Sequence, residues 1–419
     1  MLPLSEKSFT KYKDHILQIL AYALNLIFIM AAAYFLDLDE FGIFSYKFVI
    51  ASIFAVGLKF GLDSVFQYFS QRVNFRGLSE IILTILVLVL ATSALICSLI
   101  GYPEIIIYVI AALIAIDEIF YSIKRVEGKA AEFLMLRNIL IVTRIISIYF
   151  YNSDHYSILS VYCYSTLPSI IFYLVQVLKK YKSEKMIMKE GLAQKGSFQD
   201  IANFSLKTTF SNLMGVLSVK IDIIILAFFV SYSQLGIYEI GARWGFIAMI
   251  PITLFSVINA PIISKLGKRK RKKHLLVYFN DSRRKVFFTT TIYFLALILV
   301  RLILAIFDIN WEYNPLDIAL ILATGFTFSS YFGPTGTAIV MLGFPGRHLV
   351  RIFISLIINI LLNLLLIQYI GIYGAAIAVS SVLVISSKIV LTILSTSRTK
   401  RWGLASVIFC INCDLIKLI

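Results

Sequence analysis

Several ionisable side chains of this 419-residue chain lie inside stretches apolar enough to cross a bilayer, and their spacing suits electrostatic capture of a ligand. Residues 203–230 carry Lys207, Lys220 and Asp222. Lys220 and Asp222 are two positions apart, about 200° around a helix, so they point in nearly opposite directions and do not neutralise each other. At least one must face a polar interior, because a lipid-facing charge at the bilayer centre costs about 2.5–3.5 kcal/mol. Arg137 and Arg144 are seven residues apart and share a helix face, a track leading inward from one membrane surface. Glu239 and Arg243 stand at i, i+4 with the acid first, the favourable order for a helical pair.

Each of these residues has a plainer use. Arg137 can reach back to the head groups, as can Lys59, Arg351 and Lys388 near the same side of the membrane. Glu239 and Arg243 can simply steady one helix, and Lys220 and Asp222 can each pair with another helix. Lys47, about six residues inside a predicted helix over 41–62, is a further candidate for the polar interior. Asp117 and Glu118 either anchor a helix end above Lys124 and Arg125 or, as acids at depth, take part in ion coupling. Arg301 is placed to meet Asp308, and Asn25, Asn359 and Asn363 suit hydrogen bonds between helices. Ten cations inside the spans outnumber the acids Asp117, Glu118, Asp222 and Glu239, an excess that fits an anionic ligand.

The elements that must position them are membrane helices. The chain is 59% hydrophobic with a mean hydropathy of +0.88, outside the range of soluble domains. A net charge of +16 is better explained by membrane topology and anionic lipid than by nucleic acid. Windows of about 20 residues predict twelve helices, near 16–36, 41–62, 79–100, 105–123, 133–151, 157–177, 203–230, 236–260, 286–306, 316–341, 349–370 and 372–394. The first is read as an uncleaved span, too long for a signal-peptide core. The N-terminus, alternate connections and the tail through Arg401 together hold 28 Lys and Arg, against none on the opposite side. That asymmetry places both termini in the cytoplasm.

Residues 1–178 and 203–395 form two bundles of six helices, joined by a basic cytoplasmic linker, 179–202. Residues 396–419 are a tail with an interfacial segment. FGIF at 41–44 and LGIY at 235–238 open corresponding helices, a weak repeat of parallel halves. Pro168, Pro251 and Pro334 fall within spans, as hinges or as ordinary kinks. Cys97, Cys163, Cys410 and Cys413 are too few for a disulfide framework, and Cys410-x-x-Cys413 lacks the partners of a zinc site.

FGIFS (41–45), GLKFGLD (57–63), KIDIIIL (220–226), LGIYEIGARW (235–244), NAPIISKLGK (259–268), LIINILLNLLLI (356–367) and GIYGAAIAVSSVL (371–383) together resemble the polysaccharide flippases of the multidrug/oligosaccharidyl-lipid/polysaccharide exporter superfamily, the O-antigen branch best. The resemblance implies an all-α fold of two six-helix bundles around a central cavity in a bacterial inner membrane. It implies transfer of an undecaprenyl-diphosphate-linked oligosaccharide between leaflets, with membrane lipids and polysaccharide polymerase machinery as partners. No catalyst or bound cofactor is needed, and coupling to a proton or sodium gradient is the open possibility. A diphosphate favours Arg for bidentate contact and Lys as a point charge, which selects Arg144, Lys220, Arg137, Lys47 and Arg243 as substrate-binding candidates. Asp222, Glu239, Asp117 and Glu118 are the candidates for ion coupling or ion pairing.

Two other classes compete. A multidrug or metabolite antiporter of the same superfamily that exports cations should be rich in interior acids. A membrane glycosyltransferase or polymerase acting on lipid-linked sugars usually presents a sizeable outer loop, whereas the longest outer connection here is 308–315.

Overall fold

A computed structural model describes residues 4–69, 105–126, 130–150, 158–163, 165, 168, 198–256, 263, 272–307, 314–333, 335–341 and 345–395. Among these residues every regular element is a helix: α1 (Leu4–Phe35), α2 (Leu38–Lys59), α3 (Leu62–Phe69), α4 (Ile105–Val126), α5 (Ala130–Phe150), α6 (Phe198–Phe229), α7 (Tyr232–Phe246), α8 (Lys272–Ile306), α9 (Pro315–Tyr331), α10 (Thr335–Met341) and α11 (Pro345–Ser395). Six of the described helices are long and apolar enough to cross a membrane. A seventh candidate span joins α7 to Met249–Ser256 with a bend of 46°. The predicted helix over 79–100, most of 157–177, most of the linker and the tail lie outside the described residues, as do Cys97, Cys410, Cys413 and Pro334, while residues 198–202 of the linker are the first turn of α6.

Two compact units divide the chain, Met1–Val216 and Leu217–Ile419. In the first, α2 packs along α4 and α1 along α5. Buried alanines on α2 (Ala51, Ala55) and α4 (Ala111, Ala112, Ala115) keep those helices slim, the small-residue route to close approach where water supplies no hydrophobic drive between helices. Phe28, Phe41 and Phe44 are buried. Phe44 stacks on Phe48 at 5.9 Å, and Phe48 meets Tyr162 edge-on at 5.2 Å.

A sharp elbow ends α2. Phe60 (φ 46°) and Gly61 (φ 63°) both take left-handed backbone, and the Ser205 hydroxyl of α6 donates to the Phe60 carbonyl. A side chain at position 61 would run into Ser205 and Thr208, so glycine is required there by φ and by space.

In the second unit α9 is central and packs against α7, α8 and α11. Asn314 caps it, its side chain accepting from the Leu316 amide at 2.9 Å, with Pro315 at the first helical position. Ala319, Ala323 and Phe326 of α9 form a buried cluster with Ala248 and Leu297. Gly241 and Gly245, one turn apart on α7, lie against α9: a Cβ at 241 would meet Ile318 and the Pro315 carbonyl, and one at 245 would meet Leu322. This is a glycine-x3-glycine contact. Gly245→Leu is expected to force the helices apart at a cost of about 1–3 kcal/mol, seen as a lower melting temperature of the purified protein, whereas Gly57→Leu, where a Cβ meets nothing, should leave the melt unchanged.

The bend after α7 has a specific cause. Pro251 has no N–H for the Ile247 carbonyl and its ring crowds that carbonyl. The Ile250 amide takes it instead, at 3.0 Å. Pro168 is exposed.

The 51 residues of α11 would reach about 75 Å as one rod. Non-helical backbone at Ile370 and Gly371 (φ 55°, ψ −134°) divides them. A Cβ on Gly374 would collide with the Leu366 backbone, although residues eight apart in a straight helix are about 12 Å apart. The chain therefore reverses at Gly371, close to the predicted boundary between 349–370 and 372–394.

Other boundaries shift outward. α1 begins at Leu4 and takes in Lys7, Lys11 and Lys13. α8 begins at Lys272, so Ser282–Lys285 is helical instead of a loop; Asp281 and Lys285 pair at 2.8 Å on its surface, and the Arg283 guanidinium sits over the Tyr331 ring at 5.0 Å.

Candidate functional site

The charged residues of the first unit form a branched set between α2, α3, α4 and α5. Lys59, at the end of α2, is 7% exposed. Its ammonium is 2.6 Å from Glu118 and 3.1 Å from Asp63. The expected snorkelling of Lys59 is thus corrected: the elbow at Phe60–Gly61 turns α3 back and supplies Asp63 within one turn. Asp117 meets Arg137 at 3.4 Å, and Glu118 meets Lys59. Neighbours in sequence, these acids hold two different helices to α4.

Beside this set is a cavity of about 310 Å³, lined by Asp63, Glu118 and Arg137 together with Gln18, Tyr22 and Asn25 of α1. Arg137 keeps 36% of its side chain exposed. Asn25 donates to the Ala21 carbonyl of its own helix at 2.9 Å, so it borders the cavity and does not tie helices together as expected.

Two turns beyond Arg137 on α5, Arg144 is 4% exposed. Its Nε donates to the Ser165 hydroxyl at 2.8 Å, which in turn donates to the Tyr162 carbonyl at 3.0 Å. The guanidinium lies 4.0 Å from the Tyr162 ring centroid and 5.3 Å from that of Phe28. Cation–π contacts of this kind reach about 2 kcal/mol when desolvated. Among the described residues no carboxylate closes an ion pair with Arg144; aromatic faces and a hydroxyl hold it, and Asp117, which acts on it from beyond ion-pair distance, is itself paired with Arg137. Lys47 is half-buried on α2.

The second unit gathers four predicted residues. Glu239, 1% exposed, pairs with Arg243 one turn along α7, and the Lys220 ammonium of α6 stands 3.9 Å from it. Asp222, 1% exposed, accepts from the Tyr238 hydroxyl. Lys220 and Asp222 do take different partners, as their angular separation requires. Two cations and two acids make this cluster balanced, with Lys220 and Arg243 keeping 18% and 22% of their side chains exposed. Arg301 pairs with Asp317 at 2.8 Å; Asp308, the expected partner, lies outside the described residues. Asn359 reaches the Ser218 carbonyl of α6 at 3.3 Å, an interhelical bond as expected, and Asn363 reaches Asn359 at 2.7 Å.

Sequence reading missed Asp63, Tyr238 and the arginine cage of Phe28, Tyr162 and Ser165. Of these, Asp63 alone carried a signal, at i+4 from Lys59.

No family profile matches the sequence, and no curated protein matches it. Solved structures do. An inward-facing multidrug resistance transporter of the MATE family, MOP superfamily, aligns over 90% of this chain and 96% of its own at 14% identity, TM-score 0.63. The lipid II flippase MurJ in an inward closed conformation aligns over 93% and 87% at 18% identity, TM-score 0.63. An outward-facing multidrug resistance transporter of the MATE family aligns over 91% and 93% at 12% identity, TM-score 0.57. At these identities the likeness is one of fold: this chain has the all-helical, multi-pass membrane architecture of those transporters and of that flippase.

Proposed function

We propose that this protein is a lipid-linked oligosaccharide flippase, moving an undecaprenyl-diphosphate-linked repeat unit across the inner membrane for O-antigen or another surface polysaccharide. The observation that carries the reading is the arginine face of α5. Arg137 lines a polar cavity, and Arg144, two turns deeper, has no carboxylate within ion-pair distance among the described residues, the Asp117 carboxylate being held by Arg137. An uncompensated cation at membrane depth is costly unless it serves an anion, and a planar guanidinium matches phosphate oxygens in pairs. A fold shared with a lipid II flippase is consistent with such a cargo.

No covalent step is required. The head group needs polar partners while its lipid tail stays in the bilayer; Arg137, Arg144, Lys47, Lys220 and Arg243 supply cationic ones. Cytoplasmic termini and a proton or sodium gradient acting through Asp222, Glu239, Asp117 or Glu118 complete the proposal.

Export of a cationic small molecule is the second reading, favoured by Asp63 and Glu118 at the cavity and by the likeness to multidrug resistance transporters. Deleting the protein from its host separates the two. Loss of one surface polymer with accumulation of its lipid-linked repeat unit supports the flippase. Unchanged polymer with heightened sensitivity to cationic dyes overturns it.

A further inference from the structure

His348, Arg351 and Ser355 lie on one face of the first turns of α11. The Arg351 Nη2 is 3.4 Å from the His348 Nδ1. Both side chains close over Gly336 of α10, where a Cβ would come within 3.0 Å of the His348 Cε1 and 3.1 Å of the Arg351 Nη2. Arg351 does not snorkel as a head-group-facing arginine would: its Nε is buried, and neither it nor the buried Ser355 Oγ has a hydrogen-bond partner. Ser355 is 8% exposed. Among the described residues no carboxylate pairs with Arg351.

Leaving buried donors without partners is costly. Here a buried guanidinium N–H and a buried hydroxyl lie one turn apart on α11 without partners, and the imidazole beside the guanidinium stands at the first turn of a helix, whose dipole also favours negative charge. The ligand that satisfies all of them is a tetrahedral oxyanion. The first turns of a candidate span starting at Gly346 belong near the bilayer surface, where phosphates reside.

We infer that His348, Arg351 and Ser355, closed over Gly336, form a binding site for the phosphate of a membrane lipid. This site stands independently of the flippase reading and shares no residue with the arginine face of α5. The phosphate can come from a bilayer phospholipid or from a polyprenyl phosphate carrier.

Binding to the purified full-length protein in detergent, measured by native mass spectrometry, tests it with four probes: phosphatidylglycerol, undecaprenyl phosphate, diacylglycerol and inorganic phosphate. Wild-type protein is expected to retain one or both phospholipid probes and not diacylglycerol. Arg351→Gln should weaken that retention by about tenfold or more, the worth of one charge-assisted bond. Gly336→Ala, which displaces only the far ends of two side chains, should weaken it as well and decides the matter if Arg351→Gln does not fold. Lys207→Gln, removing an exposed charge of α6, should leave it unchanged. Stronger retention of undecaprenyl phosphate assigns the site to the carrier; equal or stronger retention of phosphatidylglycerol assigns it to the bilayer. Retention unaffected by Arg351→Gln and Gly336→Ala, equal retention of diacylglycerol, or binding of inorganic phosphate alone overturns the proposal.

Discussion

Glu239→Leu is expected to destabilise the second unit by about 3–5 kcal/mol, because removing one member of a buried ionic cluster strands its partners. Arg243 and Lys220 both lean on this one carboxylate, and Asp222 is already engaged by Tyr238. The loss should appear as a lower melting temperature of the detergent-purified protein. Replacing the whole cluster apolarly (Glu239→Leu, Lys220→Met, Arg243→Met) should restore the melt, since well-packed apolar substitutes for a buried ionic triad are often neutral or stabilising. The two readouts then divide structure from function. A triple variant that is stable but makes no surface polymer places Lys220 or Arg243 in transport. One that is stable and fully active reduces the cluster to a clamp between α6 and α7. A single Glu239→Leu variant that melts like wild type contradicts the buried-pair account altogether.

Hydropathy made the helices legible because lipid leaves the backbone few other options. Gly371 made the reversal in α11 legible, and Pro251 the bend after α7. Charged turns misled at the ends: Lys7, Lys11 and Lys13, and Ser282–Lys285, look like loops by composition, yet nothing in them breaks a helix. The charge balance was harder. Whether Lys59 snorkels or is buried depends on the left-handed elbow at Phe60–Gly61, and its other partner, Glu118, is 59 residues away. Helix rotation decides such pairs, and a single sequence does not encode it in any local pattern. Pairing of Lys59, Arg137, Lys220, Arg243 and Arg301 with acids also shrinks the cationic excess that composition suggested, leaving Arg144 the more distinctive. The cage around Arg144 was invisible for another reason: Phe28 and Tyr162 have the composition of any membrane core. Gly241 and Gly245 stood in plain view as a small-residue pair, but only the contact with Ile318 and Leu322 gives the spacing its meaning.

Arg144→Met should lower transport by roughly 10–100-fold, the loss of one charge-assisted contact to phosphate of about 1.5–3 kcal/mol, while the protein still reaches the membrane. Methionine fills the space between Phe28 and Tyr162 and leaves no buried charge behind, so folding is spared. Arg144→Lys keeps the charge but loses the planar stacking and the Nε bond to Ser165; an intermediate defect is expected. Ser165→Ala releases the guanidinium from one side and should produce a smaller loss of the same kind.

Flipping in reconstituted proteoliposomes addresses this most directly. A fluorescent undecaprenyl-diphosphate oligosaccharide is incorporated in both leaflets, and the fraction open to an external membrane-impermeant reagent is followed with time. With the full-length protein present, the protected half should become accessible, and Arg144→Met vesicles carrying the same amount of protein should lag by at least tenfold. Equal rates for wild type, Arg144→Met and empty vesicles would contradict the account.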